Sequence, residues 1–250
     1  MRRFYLHPDL IDSGDLVLDG ANASHLRRVL RLGPGDAVVL FDGTGREFDA
    51  RIDRFFGDRV TLRLTGQRDV RSESPLSITL AQGYLKEGKM DDLVRQSTEL
   101  GVTRFVPFFA DRSVARPDPG KLSARMKRWE RIAREALKQC RRGRVPEIGP
   151  AAALDDIVGL SAGADLKIVF WEEAQIPLAD ISAALSAMPH EVFVLLGPEG
   201  GLGPEEVERL IAAGFVAAGL GPRILRAETA TVAACALVQY LFGDLGGFHP

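Results

Sequence analysis

The amino-acid sequence predicts an α/β protein in which helices cover a mostly parallel sheet, with a small and mainly β domain ahead of it. Two observations support this prediction. From residue 76 onward, short apolar runs alternate with segments of helical periodicity, and repeated strand–helix units are typical of a parallel sheet covered on both faces. Before residue 68, the chain instead alternates polar and apolar residues between turn signals, which is typical of half-buried strands.

The N-terminal region contains one predicted helix and three predicted strands. The helix covers residues 22–32, where Leu26, Val29 and Leu30 recur at helical spacing. The strands cover residues 38–41, 46–56 and 59–64, and Gly57-Asp58 predicts a hairpin between the last two. The polar segment 68–75 ends in a proline and is the predicted linker to the second region.

The C-terminal region is predicted as alternating strands and helices. The strands are residues 78–81, 104–109, 167–171, 191–196 and 215–220, and the helices are residues 88–100, 121–141, 177–187, 204–213 and 229–242. The longest near-apolar run, residues 230–242, is too short to cross a bilayer. The N-terminus has no apolar core of signal-peptide length. We therefore expect a cytoplasmic protein without a membrane partner.

A strongly basic segment is hidden within the net charge of −2. Residues 121–144 hold ten cations against Glu130 and Glu135, a local excess of +8. Several of these cations recur at helical spacing, so they form either a solvated helix face or a surface for phosphate groups. Because ten cations exceed what solubility needs, RNA is the favoured partner. Cys140 and Cys235 have no partner at a metal-binding spacing, so no metal site is predicted.

Two glycine-rich turns each follow a predicted strand, at residues 197–203 and 220–230. Glycine lets a ligand approach the backbone closely, and two such turns on one sheet predict a cofactor site. The first turn lacks the Gly-Lys-Ser/Thr of a Walker loop, and Glu206 stands where a dinucleotide fingerprint needs its third glycine. Glutamates at the start of the next helix would repel a pyrophosphate, so a zwitterionic cofactor fits better. The alternative is a tight turn without a ligand.

These residues carry a resemblance to a known family. Gly197-Pro198-Glu199-Gly200-Gly201 and the segment 220–230, Leu-Gly-Pro-Arg-Ile-Leu-Arg-Ala-Glu-Thr-Ala, are similar to the signature of the 16S rRNA (uracil-N3)-methyltransferase family, the RsmE-like members of the SPOUT superfamily. The likeness extends to segments 2–5, 25–31, 99–102, 112–113 and 141–148, and so covers nearly the whole chain in the expected order.

The resemblance implies a fold, a reaction and partners. The fold is a PUA-like RNA-binding β-barrel over residues 1–71, followed by a SPOUT methyltransferase domain over residues 72–250 with a C-terminal trefoil knot. The implied reaction is S-adenosyl-L-methionine-dependent methylation of N3 of a uridine in 16S rRNA, carried out by a homodimer without a metal on the assembled small ribosomal subunit. The alternatives are a ribose 2′-O-methyltransferase of the same superfamily and a non-catalytic RNA-binding protein.

Position and resemblance together nominate the site residues. The catalytic candidates are Arg226, which could steady a uracil anion, and Glu228, which could accept the N3 proton if burial raises its pKa. Glu199 is the competing base, and Glu228 could instead simply complement the dipole of the last helix. The predicted cofactor-binding residues are Trp171, Leu196, Gly197, Gly201, Leu220, Gly221, Ile224, Leu225 and Ala230. The predicted RNA-binding residues are Arg2, Arg3, Arg27, Arg28, Arg112, Arg128, Arg131, Arg134, Arg141, Arg142 and Arg144.

Overall fold

The computed structural model describes residues 2–70, 72–86, 88–114 and 116–247. Contacts divide the chain into two compact units. Unit 1 takes in the described residues up to Glu73 together with Arg134–Val145, and unit 2 takes in Ser74–Ala133 and the described residues from Pro146 onward. Residues 134–145, which the sequence assigned to the methyltransferase domain, thus make most of their contacts within unit 1. The predicted domain boundary at residues 71/72 stays a prediction.

Unit 1 is built on a five-stranded mixed sheet of order β1-β3-β4-β5-β2. Its elements are β1 (Arg3–Tyr5), α1 (Pro8–Asp12), β2 (Val17–Asp19), α2 (Gly20–Ser24), a π-helical turn (His25–Val29), β3 (Ala37–Phe41), β4 (Glu47–Phe56) and β5 (Arg59–Arg68). Strand β1 runs parallel to β3, and the other pairs are antiparallel. This curled sheet is consistent with the predicted PUA-like fold, whereas a closed barrel stays a prediction.

The core of unit 1 lies on one face of this sheet. Leu26, Leu40 and Val60 are fully buried within one apolar cluster. Sequence periodicity located the helical segment around Leu26 and the β4–β5 hairpin, but missed β1, β2 and α1. The two missed strands have three residues each, and a run of that length is too short for polar–apolar alternation to mark it.

Unit 2 is a seven-stranded sheet of order β12-β10-β11-β6-β7-β8, with β9 paired beside β7, and all its pairs are parallel. Its elements are β6 (Ser77–Gly83), α3 (Lys89–Glu99), β7 (Val102–Phe109), α4 (Pro119–Cys140, whose last residues belong to unit 1), β8 (Glu147–Ile148), β9 (Ala152–Ala153), α5 (Leu154–Leu160), β10 (Leu166–Phe170), α6 (Leu178–Ala184), β11 (Glu191–Leu196), α7 (Pro204–Ala212), β12 (Val216–Ala218) and α8 (Ala227–Phe242). The predicted α/β class and parallel sheet are confirmed. The sequence missed β8, β9 and α5.

Three adjacent strands of unit 2 end at the same level. Phe170 at the end of β10 pairs with Leu196 at the end of β11 and with Ala218 at the end of β12. Their interiors, such as Val169 and Leu195, are fully buried, as expected for strands covered on both faces. In the described part of the chain, no helix is long and apolar enough to cross a membrane.

Candidate functional site

A cavity of about 520 Å³ opens at the carboxyl ends of β10, β11 and β12. Ligands of open parallel sheets bind at this edge, because the turns that leave the strands there present free backbone groups. All nine predicted cofactor-binding residues line the cavity: Trp171, Leu196, Gly197, Gly201, Leu220, Gly221, Ile224, Leu225 and Ala230. The tertiary structure therefore brings both glycine-rich turns and the end of β10 to one place.

The first glycine-rich turn requires glycine at position 201 for two reasons. Gly201 has φ of +70°, in the left-handed region that side chains disfavour, and its N–H donates to the carbonyl of Pro198 at 2.9 Å. A Cβ at this position would lie 2.6 Å from Oε1 of Glu172, another residue of the cavity wall. The backbone conformation sets most of this requirement, because the Glu172 carboxylate ends a flexible side chain that can move aside.

A buried polar network holds the turn to the sheet and to the last helix. The Gln82 side chain, at the end of β6, donates through Nε2 to the carbonyl of Gly197 at 3.2 Å. The Thr231 hydroxyl on α8 contacts Oε1 of Gln82 at 2.6 Å and the carbonyl of Ala227 at 2.8 Å. Both side chains are almost fully buried. Sequence analysis missed this network, although a lone glutamine within an apolar strand was a usable signal.

Trp171 presents an unpaired donor at the cavity wall. Its backbone N–H donates to the carbonyl of Ala218 at 3.1 Å, which fixes the residue at the junction of β10 and β12. Its indole Nε1 is buried and has no hydrogen-bond partner. A buried donor without a partner costs free energy, so a ligand that supplies an acceptor would be favoured here.

Lys89, at the start of α3, lies between the two candidate bases. Its Nζ is 3.3 Å from Glu199 and 3.3 Å from Glu228, and the N–H of Lys86 donates to Glu199 at 3.0 Å. Burial alone would lower the pKa of Lys89, but the two carboxylates raise it. The sequence singled out both glutamates and missed the lysine, which lies more than a hundred residues away from either.

The pKa of Glu228 is lowered, because its own backbone N–H at the start of α8 stabilises the charged form. Burial acts in the opposite direction, and Lys89 and Arg226 add to the lowering. The condition set for Glu228 as a base, a pKa raised by burial, is therefore not met. Arg226 is exposed at the N-cap of α8 and is not among the residues that line the cavity. The catalytic roles of both residues stay predictions.

Arg112 lies beside the glycine-rich turn. It is exposed, and its guanidinium is 3.5 Å from the carbonyl oxygens of Gly200 and Leu202. The adjoining loop is anchored by Glu206, whose buried carboxylate accepts from the backbone N–H of Asp111 at 2.9 Å and of Gly203 at 2.8 Å. Glu206 also caps α7, so one side chain links the helix start to the loop that carries Arg112.

The predicted RNA-binding arginines differ in how accessible their guanidinium groups are to an RNA phosphate. In unit 2, Arg131 is exposed, whereas Arg128 is exposed but pairs with Asp91 at 2.7 Å. In unit 1, Arg134 is half-buried with its guanidinium 5.6 Å from the centre of the Tyr5 ring. The remaining exposed members of unit 1 are Arg2, Arg27, Arg28, Arg141 and Arg144.

Two predicted RNA-binding residues are instead structural. Arg3 is 7% exposed, pairs with Glu47, donates to the carbonyl of Arg142 at 2.6 Å and lies over the ring of Phe41. Arg142 is 3% exposed and pairs with Glu73 at 3.1 Å. Neither guanidinium is available to a phosphate, so we remove both from the RNA-binding set. Sequence alone could not separate them from their exposed neighbours, because burial depends on distant residues.

No three histidine, cysteine, aspartate or glutamate side chains cluster as a metal site requires, within the residues that the structure describes. Cys235 is buried, and burial raises the pKa of its thiol to about 12.

Two family models match the chain, one described as an RNA methyltransferase domain over residues 72–239 and one as an RNA methyltransferase PUA domain over residues 18–54. Among curated relatives, the ribosomal RNA small subunit methyltransferase E of Bacillus subtilis is 30% identical over 96% of this chain and 96% of its own length. The protein of the same name from Mycobacterium tuberculosis is 32% identical over 93% of this chain and 89% of its own length.

Two solved structures are similar to the whole chain. The crystal structure of ribosomal RNA small subunit methyltransferase E from Neisseria gonorrhoeae bound to S-adenosyl methionine has a TM-score of 0.84 and 31% identity, and covers 98% of this chain and 99% of that one. A methyltransferase from Legionella pneumophila in complex with the cofactor SAM has a TM-score of 0.84 and 32% identity over the same shares of the two chains.

Proposed function

Since this chain belongs to the RNA methyltransferase family of ribosomal RNA small subunit methyltransferase E, we propose that it methylates N3 of a uridine in 16S rRNA on the assembled small subunit. It is an S-adenosyl-L-methionine-dependent rRNA methyltransferase. The observation that supports the site best is the cavity itself, because both glycine-rich turns and Trp171 converge there. The N3 position and the assembled small subunit as substrate go beyond what the similarity to these relatives shows.

The residues around the cavity fit S-adenosyl-L-methionine. The cavity volume of about 520 Å³ lies within the range for small-molecule sites. The unpaired Nε1 of Trp171 offers a donor, and Gly197 and Gly221 line the cavity without a side chain that would keep a ligand from the backbone. When bound, this cofactor supplies an electrophilic methyl group. The chain's part is to hold it with the nine lining residues named above and to exclude water.

The methyl acceptor must lose a proton from N3, and the resulting charge spreads over the uracil carbonyl oxygens. We assign the carboxylate of Glu228 or Glu199 to accept that proton, and the Arg226 guanidinium to stabilise the uracil anion. A carboxylate of lowered pKa is a weak base toward an imide. The proton transfer therefore depends on stabilisation of the uracil anion by Arg226. For this reason, loss of Arg226 should lower the methyl-transfer rate more than loss of either glutamate.

We assign RNA binding to the exposed arginines. These are Arg2, Arg27, Arg28, Arg112, Arg128, Arg131, Arg141 and Arg144, with the half-buried Arg134 beside them in sequence. Guanidinium groups that reach solvent can pair with phosphates in a bidentate manner, and such contacts give affinity that falls with salt.

We further propose that the chain acts as a homodimer in the cytoplasm and that its C-terminal segment forms the trefoil knot of the superfamily. On α8, Leu237 is 42% exposed and Tyr240 is 59% exposed, and Leu245 just beyond is 54% exposed. Large apolar side chains grouped on one surface helix favour burial against a partner, and a second copy is the partner that the family implies.

Methyl transfer onto 30S particles and onto bare 16S rRNA, both from a strain that lacks this modification, tests the proposal. We expect labelled methyl groups on 30S particles, and mass spectrometry of digested RNA should identify N3-methyluridine. A ribose 2′-O-methyl product would refute the proposed acceptor. Absence of any product, despite cofactor binding measured by calorimetry, would refute the activity and favour a non-catalytic RNA-binding protein.

A further inference from the structure

Three elements that lie far apart in the chain meet at one ammonium group. Nζ of Lys89 is 3.3 Å from Oε1 of Glu199, which follows β11, and 3.3 Å from Oε2 of Glu228, in the first turn of α8. The three side chains are 34%, 24% and 29% exposed, so water screens them only in part. Of the three, Glu199 lines the cavity and Lys89 and Glu228 do not, so the cluster reaches the cavity wall through Glu199.

The charges in this cluster balance. Two carboxylates that share one site repel each other, and one of them then tends to take up a proton. Lys89 is 3.3 Å from each carboxylate and contributes to the lowered pKa of Glu228. Arg226 acts electrostatically on Glu228, and the backbone N–H of Lys86 donates to Glu199. With two carboxylates facing Lys89 and Arg226, the cluster is close to neutral and presents no net repulsion to an RNA phosphate chain.

We propose that Lys89 is the positioning residue of the methyl-acceptor side of this site, holding Glu199 and Glu228 as one ionised pair at the cavity wall. This inference rests on the proposed function, because it assigns a role to the pair from which the proton acceptor comes. Lys89 acts through the two carboxylates. It keeps their oxygen atoms in place between α3, the glycine-rich turn and α8, and it keeps them able to accept a proton.

The Lys89→Met substitution removes the charge and retains most of the apolar stem. Without the ammonium group, the ionised carboxylates lose their shared partner and the pKa of Glu228 rises. A proton acceptor must be deprotonated, so the rate falls as the pH falls through its pKa. The acid limb of the pH–rate profile therefore moves to higher pH in this variant. Lys89→Arg retains a cation and should restore the wild-type limb.

The first measurement needs no substrate. Carboxyl carbon shifts of the full-length, cofactor-free chain, followed by NMR across pH, report the glutamate titrations directly. We expect Lys89→Met to raise the titration midpoint of Glu228, since Lys89 is one of the groups that hold the pKa of this carboxyl below its ordinary value. Arg95→Met is the matched control, because it removes an α3 cation that pairs with Asp92 and Glu99 instead.

The second measurement is the pH dependence of single-turnover methyl transfer. An acid limb that moves by the same amount as the NMR midpoint of Glu228, and returns with Lys89→Arg, supports the positioning role. An unchanged midpoint in Lys89→Met would overturn the inference, and so would a shifted midpoint with an unmoved acid limb. A wild-type chain that leaves N3 unmethylated refutes the proposed function instead, and the NMR titrations still decide whether Lys89 holds the pair.

Discussion

The hydrogen bond between Thr231 and Gln82 gives the sharpest test of how the site is held together. Thr231→Val keeps the side-chain shape and removes the hydroxyl, which leaves Oε1 of Gln82 buried without its donor. A buried polar atom without a partner costs about 1–3 kcal/mol. We expect Thr231→Val to lower the free energy of unfolding of unit 2 by that amount.

The same substitution should cost much less when Gln82 is absent. In a Gln82→Leu background no amide oxygen is left unpaired, and the Thr231 hydroxyl retains only its bond to the carbonyl of Ala227. Thr231→Val should then cost about half of its wild-type value or less, because replacing both polar partners removes the desolvation penalty. The difference between the two backgrounds is the coupling energy of the pair.

Urea unfolding followed by tryptophan fluorescence measures the loss of unfolding free energy in each background. The fluorescence reports on unit 2, because both tryptophans of the chain, Trp129 and Trp171, lie there. With a urea slope of about 2–3 kcal/mol per M, a loss of ~2 kcal/mol moves the midpoint by roughly 0.7–1 M. Equal costs in both backgrounds, within the ~0.5 kcal/mol expected for independent sites, would refute the network. Calorimetry should also show weaker cofactor binding in Thr231→Val, because Gln82 holds the carbonyl of Gly197.

Three further changes test other parts of the site. Gly201→Ala should lower the free energy of unfolding by about 1–2 kcal/mol, because residue 201 has a left-handed backbone conformation, and should also weaken cofactor binding measured by calorimetry. Gly214→Ala is the control, because Gly214 has φ of +90° and open space around its Cβ. This control should show the loss of stability alone. Arg226→Ala should lower the single-turnover methyl-transfer rate about a hundredfold or more without weakening cofactor or RNA binding; a near-wild-type rate would demote it to a structural residue. Arg131→Gln should lower the log–log salt slope of RNA binding by about one unit, and an unchanged slope would mean that this helix face is only solvated.

The sequence was sufficient wherever the signal is local. Alternating apolar runs and helical periodicity located five of the seven parallel strands and most helices, because burial imposes a pattern on nearby residues. The two glycine-rich turns, together with the family resemblance, pointed to the cavity, since special backbone conformations restrict the residue type at the position itself. Gly201, at φ of +70°, is the clearest case.

Three-residue strands such as β1 were not predicted. β1 is a strand because it pairs with β3, and its own sequence is too short to show a strand pattern. The sequence also did not predict which arginines are accessible to an RNA phosphate. Arg3 and Arg142 read like their exposed neighbours in the sequence, yet both are buried within unit 1 and paired with glutamates there. An arginine is an RNA contact or a structural ion pair according to which residues the fold brings to it.

The sequence, with the family resemblance it carries, thus determined the α/β class, the parallel sheet and nine of the residues that line the cavity. Only the tertiary structure decided which polar groups meet around it. Thr231 and Gln82 are 149 residues apart, and Lys89 and Glu199 are 110 apart. No local pattern encodes such a pair. Each of these groups acquires its partner from the crossing of strands and helices at one edge of the sheet.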